Sequence, residues 1–127
     1  MYLHGQRRLG TQALRGRAKT LELAFESMPL RTICEKEAQA KHELGDSVAE
    51  VLKHRLSDLV AAKSVKDLLA GRPRIGDDRS HIVVDLGESH HLVFKANHPN
   101  NPLTSSNDLD WGKVTRVKIL RIESNHA

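Results

Sequence analysis

A chain of 127 residues with 39% hydrophobic and 3% aromatic residues has the length for one core, and that core must be built from Leu, Val, Ile and Ala. No apolar run approaches the ~20 residues of a membrane helix, and the first twenty residues lack the apolar stretch of a secretory signal. The single cysteine, Cys34, excludes an internal disulfide and a cysteine-based zinc site, so a cytoplasmic protein is expected. The net charge of +4 is unevenly placed: Arg7, Arg8, Arg15, Arg17 and Lys19 precede any acidic residue, and the chain beyond them is close to neutral. Residues 1–19 therefore read as a basic, disordered extension that folding does not need, or as an arm drawn to nucleic acid by counterion release. Residues 20–127 read as the folded domain.

The domain opens with LELAFE, Leu21 to Glu26, whose alternation fits a half-buried strand. Ser27 then caps a helix with Pro29 in its first turn, and Leu30, Ile33, Cys34, Ala38 and Leu44 form its apolar stripe up to Gly45. A capping box at Ser47 and Glu50 predicts the next helix, with Val48, Val51, Leu52, Leu56, Leu59 and Val60 on its buried face. A short third helix is predicted over Ser64 to Ala70, stopped by Gly71. RPRIGDDR, Arg72 to Arg79, is a charged loop.

HIVVDLGESHHLVFKANHP, His81 to Pro99, predicts a hairpin that holds four of the eight histidines, the fourth at its exit. A three-residue turn at Gly87, Glu88 and Ser89 sets Leu86 against His90, Val84 against Leu92 and Ile82 against Phe94. That apolar set must face the helices. The other face then carries His81, Val83, Asp85, His91, Val93 and Lys95, with Asp85 opposite His91 and His81 opposite Lys95. A metal site needs three or four convergent ligands in matched geometry, and only His81, Asp85 and His91 share a face on which they could converge, so neither metal nor other cofactor is expected. Ala96 to Asp110 is a polar loop, and KVTRVKILRIE, Lys113 to Glu123, closes the chain as a strand. The order of elements predicts an α+β fold, with an N-terminal strand and two or three helices on one face of a small twisted, mostly antiparallel sheet.

LELAFESMPLRTICEKE, the helix around VAEVLKHRLSDL, RPRIGDDR, VDLGESHHLVF and WGKVTRVKILRIESNH together resemble HigB-like toxins of the RelE/ParE superfamily. The resemblance spans roughly Leu21 to His126. It implies a RelE-like toxin of a type II toxin–antitoxin system, held in check by a small helix-turn-helix DNA-binding antitoxin. It further implies a ribosome-dependent mRNA endonuclease that uses metal-independent general acid/base chemistry. In that reaction a ribose 2′-OH attacks the adjacent phosphate, which requires a proton acceptor, a proton donor and positive charge.

Several positions depart from the family pattern. The usual His and Lys of the loop before the hairpin are Arg72, Arg74 and Arg79 here. An Arg ahead of the LVF-like run is His91, and the common Asp-Tyr-His ending is Ser124, Asn125 and His126. The resemblance maps His126 most cleanly. His126 and His91 are the expected proton-transfer groups, since arginine does not release its proton near neutral pH. Arg79 is expected to stabilise the phosphate during cleavage, and Arg72, Arg74, Arg116 and Lys118 to hold it. Trp111 is expected as a core anchor. Two alternatives stay open: a ParE-like toxin of the same fold that acts on a protein, and a degenerate member with a regulatory role.

Overall fold

The computed structural model describes residues 20–125. The expectations for residues 1–19 and for His126 lie outside them.

LELAF is extended because Leu21, Leu23 and Phe25 alternate with polar or small residues, and Glu22–Phe25 forms β1. Ser27 Oγ accepts from Leu30 N at 3.3 Å and caps α1, Met28–Glu35, with Pro29 in its first turn. The stripe predicted to run on to Leu44 instead breaks at Lys36, whose φ of −119° and ψ of 112° separate α1 from α2, Glu37–Leu44. An unbroken helix would bring Glu37 and Lys41 under the Cys34 stripe. After the break Ala40 is buried, and Ala38, predicted to be buried, is exposed. Gly45, at φ +86°, is the N-cap of α3, Asp46–Ala61, so the helix begins before the predicted Ser47–Glu50 capping box, and no side chain caps it. The stripe itself is as expected: Leu52, Leu56 and Leu59 are buried and Val48, Val51 and Val60 half-buried.

The helix predicted over Ser64 to Ala70 is a single 3-10 turn, Val65–Asp67. Leu68 is already extended, and Asp67 Oδ2 accepts from Lys63 N at 3.3 Å instead of supporting a longer helix. Part of RPRIGDDR, read as loop, is a two-residue edge strand, β2, Arg74–Ile75, paired antiparallel with Val83 and Ile82. The hairpin of β3, His81–Leu86, and β4, His90–Ala96, has the expected register, with Leu86 opposite His90, Asp85 opposite His91 and His81 opposite Lys95. Trp111 is buried in a 3-10 turn, Trp111–Lys113, just before β5, Arg116–Ser124.

The fold is α+β: helices α1 to α3 accompany a five-stranded sheet of order β1-β5-β4-β3-β2. Only the β1–β5 pair is parallel. Ile82, Val84, Leu86, Leu92, Phe94, Val117 and Ile119 fill the core together with Leu52, Leu56 and Leu59 of α3. The opposite face is left open to carry polar side chains.

Strict alternation along VKILRIE would carry Arg121 into the core after Val117 and Ile119. A bulge prevents this: Phe94 pairs with Ile119 and Val93 with Arg121, leaving Leu120 as the extra residue. The phase shift sends Ile122 to the core side and sets Arg121 and Glu123 on the open face, opposite Val93 and His91. The bulge thus builds the polar surface described next.

Candidate functional site

His91 is the centre of a polar cluster at the turn end of the open face. Its Nδ1 lies 2.6 Å from Asn125 Oδ1 and its Nε2 lies 2.8 Å from Glu123 Oε1. Both partners are oxygen acceptors, so only a ring with a proton on each nitrogen satisfies both contacts. Asn125 is fixed by the hairpin turn: its backbone N donates to Ser89 O at 2.8 Å and its Nδ2 to Glu88 O at 2.9 Å. Arg121 Nε donates to Glu123 Oε2 at 2.8 Å. The hydrogen bond from His91 is the main reason that the Glu123 carboxyl lies below the ordinary carboxylate range; partial burial opposes it, and Arg121 adds to it.

Asp85 lies across the ladder from His91 as expected, but its charged partners are elsewhere. Its carboxylate is held by Arg72 Nε at 2.7 Å and by Arg74 Nη2 at 3.1 Å. Burial alone would raise the Asp85 pKa, and the hydrogen bonds and charges of Arg72 and Arg74 more than offset this and hold it low. The arginines are positioned by a tight backbone approach. Gly71 and Arg72 have φ of +83° and +50°, Gly71 O accepts from Asp85 N at 2.7 Å, and Arg55 Nε of α3 donates to Asp85 O at 3.2 Å.

The site residues expected from sequence divide between the two ends of the face. Arg72 and Arg74 lie at the Asp85 end beside the His91 cluster. Arg79 precedes His81, which pairs with Lys95, four residues along β4 from His91 and so roughly 13 Å away. Arg116 and Lys118 are also at the far end, where they pair with Glu22 at 3.3 Å and Glu26 at 3.5 Å. Arg121 was expected from sequence only as a further phosphate contact, and Glu123 and Asn125 were not singled out as site residues. The signal was their spacing at every second residue, readable only once the bulge fixes which face they take.

His90 and His98 have separate surroundings. His90 Nδ1 meets Ser89 Oγ at 2.8 Å, and His98 Nε2 accepts from Thr115 N at 3.0 Å and from Arg116 N at 3.3 Å. Among the described residues no group of three His, Cys, Asp or Glu side chains is arranged to hold a metal ion. Nor is any described helix long and apolar enough to cross a membrane. Away from the polar face, a groove of about 890 Å³ runs between β1, α1 and α3, lined by Leu23, Phe25, Met28, Cys34, Leu56 and Val60 among others. No protein-family model, curated protein or solved structure matches the chain.

Proposed function

We propose that the protein is a type II toxin that cuts messenger RNA on the ribosome, using the open sheet face as its active surface. The observation that carries this reading is His91, held between Glu123 and Asn125 with arginines on both sides. A histidine on a rigid strand, with both nitrogens positioned, is suited to proton transfer near neutral pH. In the proposed reaction the RNA 2′-oxygen bonds to phosphorus and the bond from phosphorus to the 5′-oxygen breaks. The products are a 2′,3′-cyclic phosphate and a 5′-hydroxyl. His91 gives its proton to the departing 5′-oxygen. His126, which follows Asn125 in the chain, accepts the proton of the attacking 2′-hydroxyl. Arg121, Arg72 and Arg74 keep exposed N–H groups beside this site for the phosphate oxygens. The partner is a small DNA-binding antitoxin, and the site of action is the cytoplasm.

One observation favours a second reading, a toxin of this architecture that acts on a protein. Arg72, Arg74 and Arg121 are each already paired with a carboxylate, which lessens the charge available to a phosphate. The test is induction of the chain in cells with mapping of mRNA ends on ribosomes. His91→Ala and His126→Ala should each abolish cleavage and relieve growth inhibition while the melting curve stays native. If the double variant remains fully toxic and natively folded, the nuclease reading fails and the protein-target reading replaces it. Absence of any growth inhibition by the unsubstituted chain would instead support a regulatory, degenerate member.

A further inference from the structure

The far end of the open face carries a feature that the proton-transfer cluster does not use. His81, Lys95 and Lys118 are direct cross-strand neighbours on β3, β4 and β5. Lys95 and Lys118 are thus adjacent like charges, which are destabilising in a sheet. The nearby carboxylates only partly compensate. Asp78 Oδ2 reaches His81 Nε2 at 3.6 Å, while its Oδ1 accepts from the amide and hydroxyl of Ser80 at 2.9 and 2.7 Å. Glu26 reaches Lys118 at 3.5 Å, with more than half of its side chain exposed. Among the described residues no carboxylate lies within 4 Å of Lys95, and the Asp78 carboxyl interacts with its charge only at longer range. The next position in the row, on β1, is Ala24, opposite Lys118, so no large side chain crowds the row on that side.

We propose that Lys95, with Lys118 and His81 beside it, is a phosphodiester-binding row that anchors single-stranded RNA at a distance from the bond that is cut. The row lies four residues along β4 from His91, roughly 13 Å, and is therefore a subsite separate from the His91 cluster. Between the two lie Val83, Val93 and Leu120, of which Val93, at 2% exposed, is already covered by its neighbours. A strand of RNA would lie along the face with phosphates at its two polar ends. The choice of RNA as ligand rests on the nuclease reading, whereas the demand for an anion rests on the like-charged row.

The test measures binding of a short single-stranded RNA, and of DNA of the same sequence, over a range of salt concentrations. The proteins compared are the unsubstituted chain and its Lys95→Ala, Lys118→Ala and Lys53→Ala variants. Each row variant should weaken RNA binding severalfold and make the salt slope shallower by about 0.7, the value for one contact to a single strand. Lys53→Ala, on α3, should bind as the unsubstituted chain does. The melting point of Lys95→Ala should stay level or rise, because a repulsion is removed, which a merely structural lysine would not show. Unchanged affinity and slope would overturn the proposal, as would a fall in melting point that accounts for the lost binding, or tighter binding of the DNA than of the RNA. The two readings fail separately. Salt-sensitive RNA binding lost in Lys95→Ala without any cleavage by the unsubstituted chain leaves the row intact and removes the nuclease. Cleavage that persists unchanged in Lys95→Ala removes the row and leaves the nuclease.

Discussion

Asp85 and His91 face each other across the β3–β4 ladder, yet each takes its charged partner elsewhere, and this division sets how the site responds to pH. Asp85 and Glu123 are both held below the ordinary carboxylate range. A depressed carboxyl adds stability above its unfolded pKa, about 3.9 for Asp and 4.3 for Glu, and loses it as pH falls through the folded value. The contribution of these two carboxylates to stability should therefore be constant through neutral pH and be lost below roughly pH 4, lowering the melting point there. Asp85→Asn should lower stability at pH 7 by about 1–3 kcal/mol, because charged hydrogen bonds from Arg72 and Arg74 are lost, and should flatten the acid limb of the profile. Equal acid sensitivity in Asp85→Asn would show that this carboxylate does not contribute. Cys34 behaves oppositely: burial, with Glu35 adding to it, pushes its thiol up to about 12. Alkylation at pH 8 should be slow in the native protein and become fast only as denaturant unfolds it.

Among the elements, α3 packs on the sheet beneath the site, and the turn before β3 positions its arginines. Leu56→Ala, on the buried stripe of α3, should destabilise by ~2–5 kcal/mol through lost burial and a residual cavity, while the exposed Lys53→Ala should change stability little. Urea unfolding of the two variants separates them, and equal losses would mean the helix buries a different face. Gly71 and Gly87 offer a second comparison, since both have positive φ, +83° and +77°. A Cβ at Gly87 meets open space, so Gly87→Ala should cost about 1–2 kcal/mol of backbone strain. At Gly71 it would lie 2.6 Å from Val84 Cγ1, 2.8 Å from Arg55 Nε and 3.0 Å from Asp85 O. Gly71→Ala should therefore cost clearly more than Gly87→Ala and also displace the Arg72–Asp85 pair. Along the loop after β4, His98 Nε2 holds the amides of Thr115 and Arg116. His98→Ala should speed hydrogen exchange at those two amides with little effect on global stability.

Over the whole molecule, the sheet divides the chain into a face that packs on the core and a face that carries the polar cluster. The hairpin was legible in advance because Ile82, Val84 and Leu86 alternate with His81, Val83 and Asp85, and a shift of one residue would bury the polar set. The α3 stripe was legible for the same reason. Helix ends were less so: Lys36 breaks a helix that local propensity would continue, and Gly45 takes the cap position predicted for Ser47. Such choices depend on how α1 and α2 must turn to bury Cys34 and Ala40, which is a property of the packed structure.

The sequence by itself determined the fold class, the hairpin register and the face on which His91 lies, because each follows from periodicity against a single core. Only the tertiary structure decided who partners whom on that face. Arg72 and Arg74 are 13 and 11 residues from Asp85, yet the left-handed turn at Gly71 and Arg72 folds them back onto it. Glu123 and Asn125 reach His91 because one unpaired residue, Leu120, shifts the phase of β5. Long-range pairing and a bulge leave no local signature that fixes their outcome. They are settled when Ile122, two residues beyond that bulge, turns to the core side and Arg121 is kept out of it.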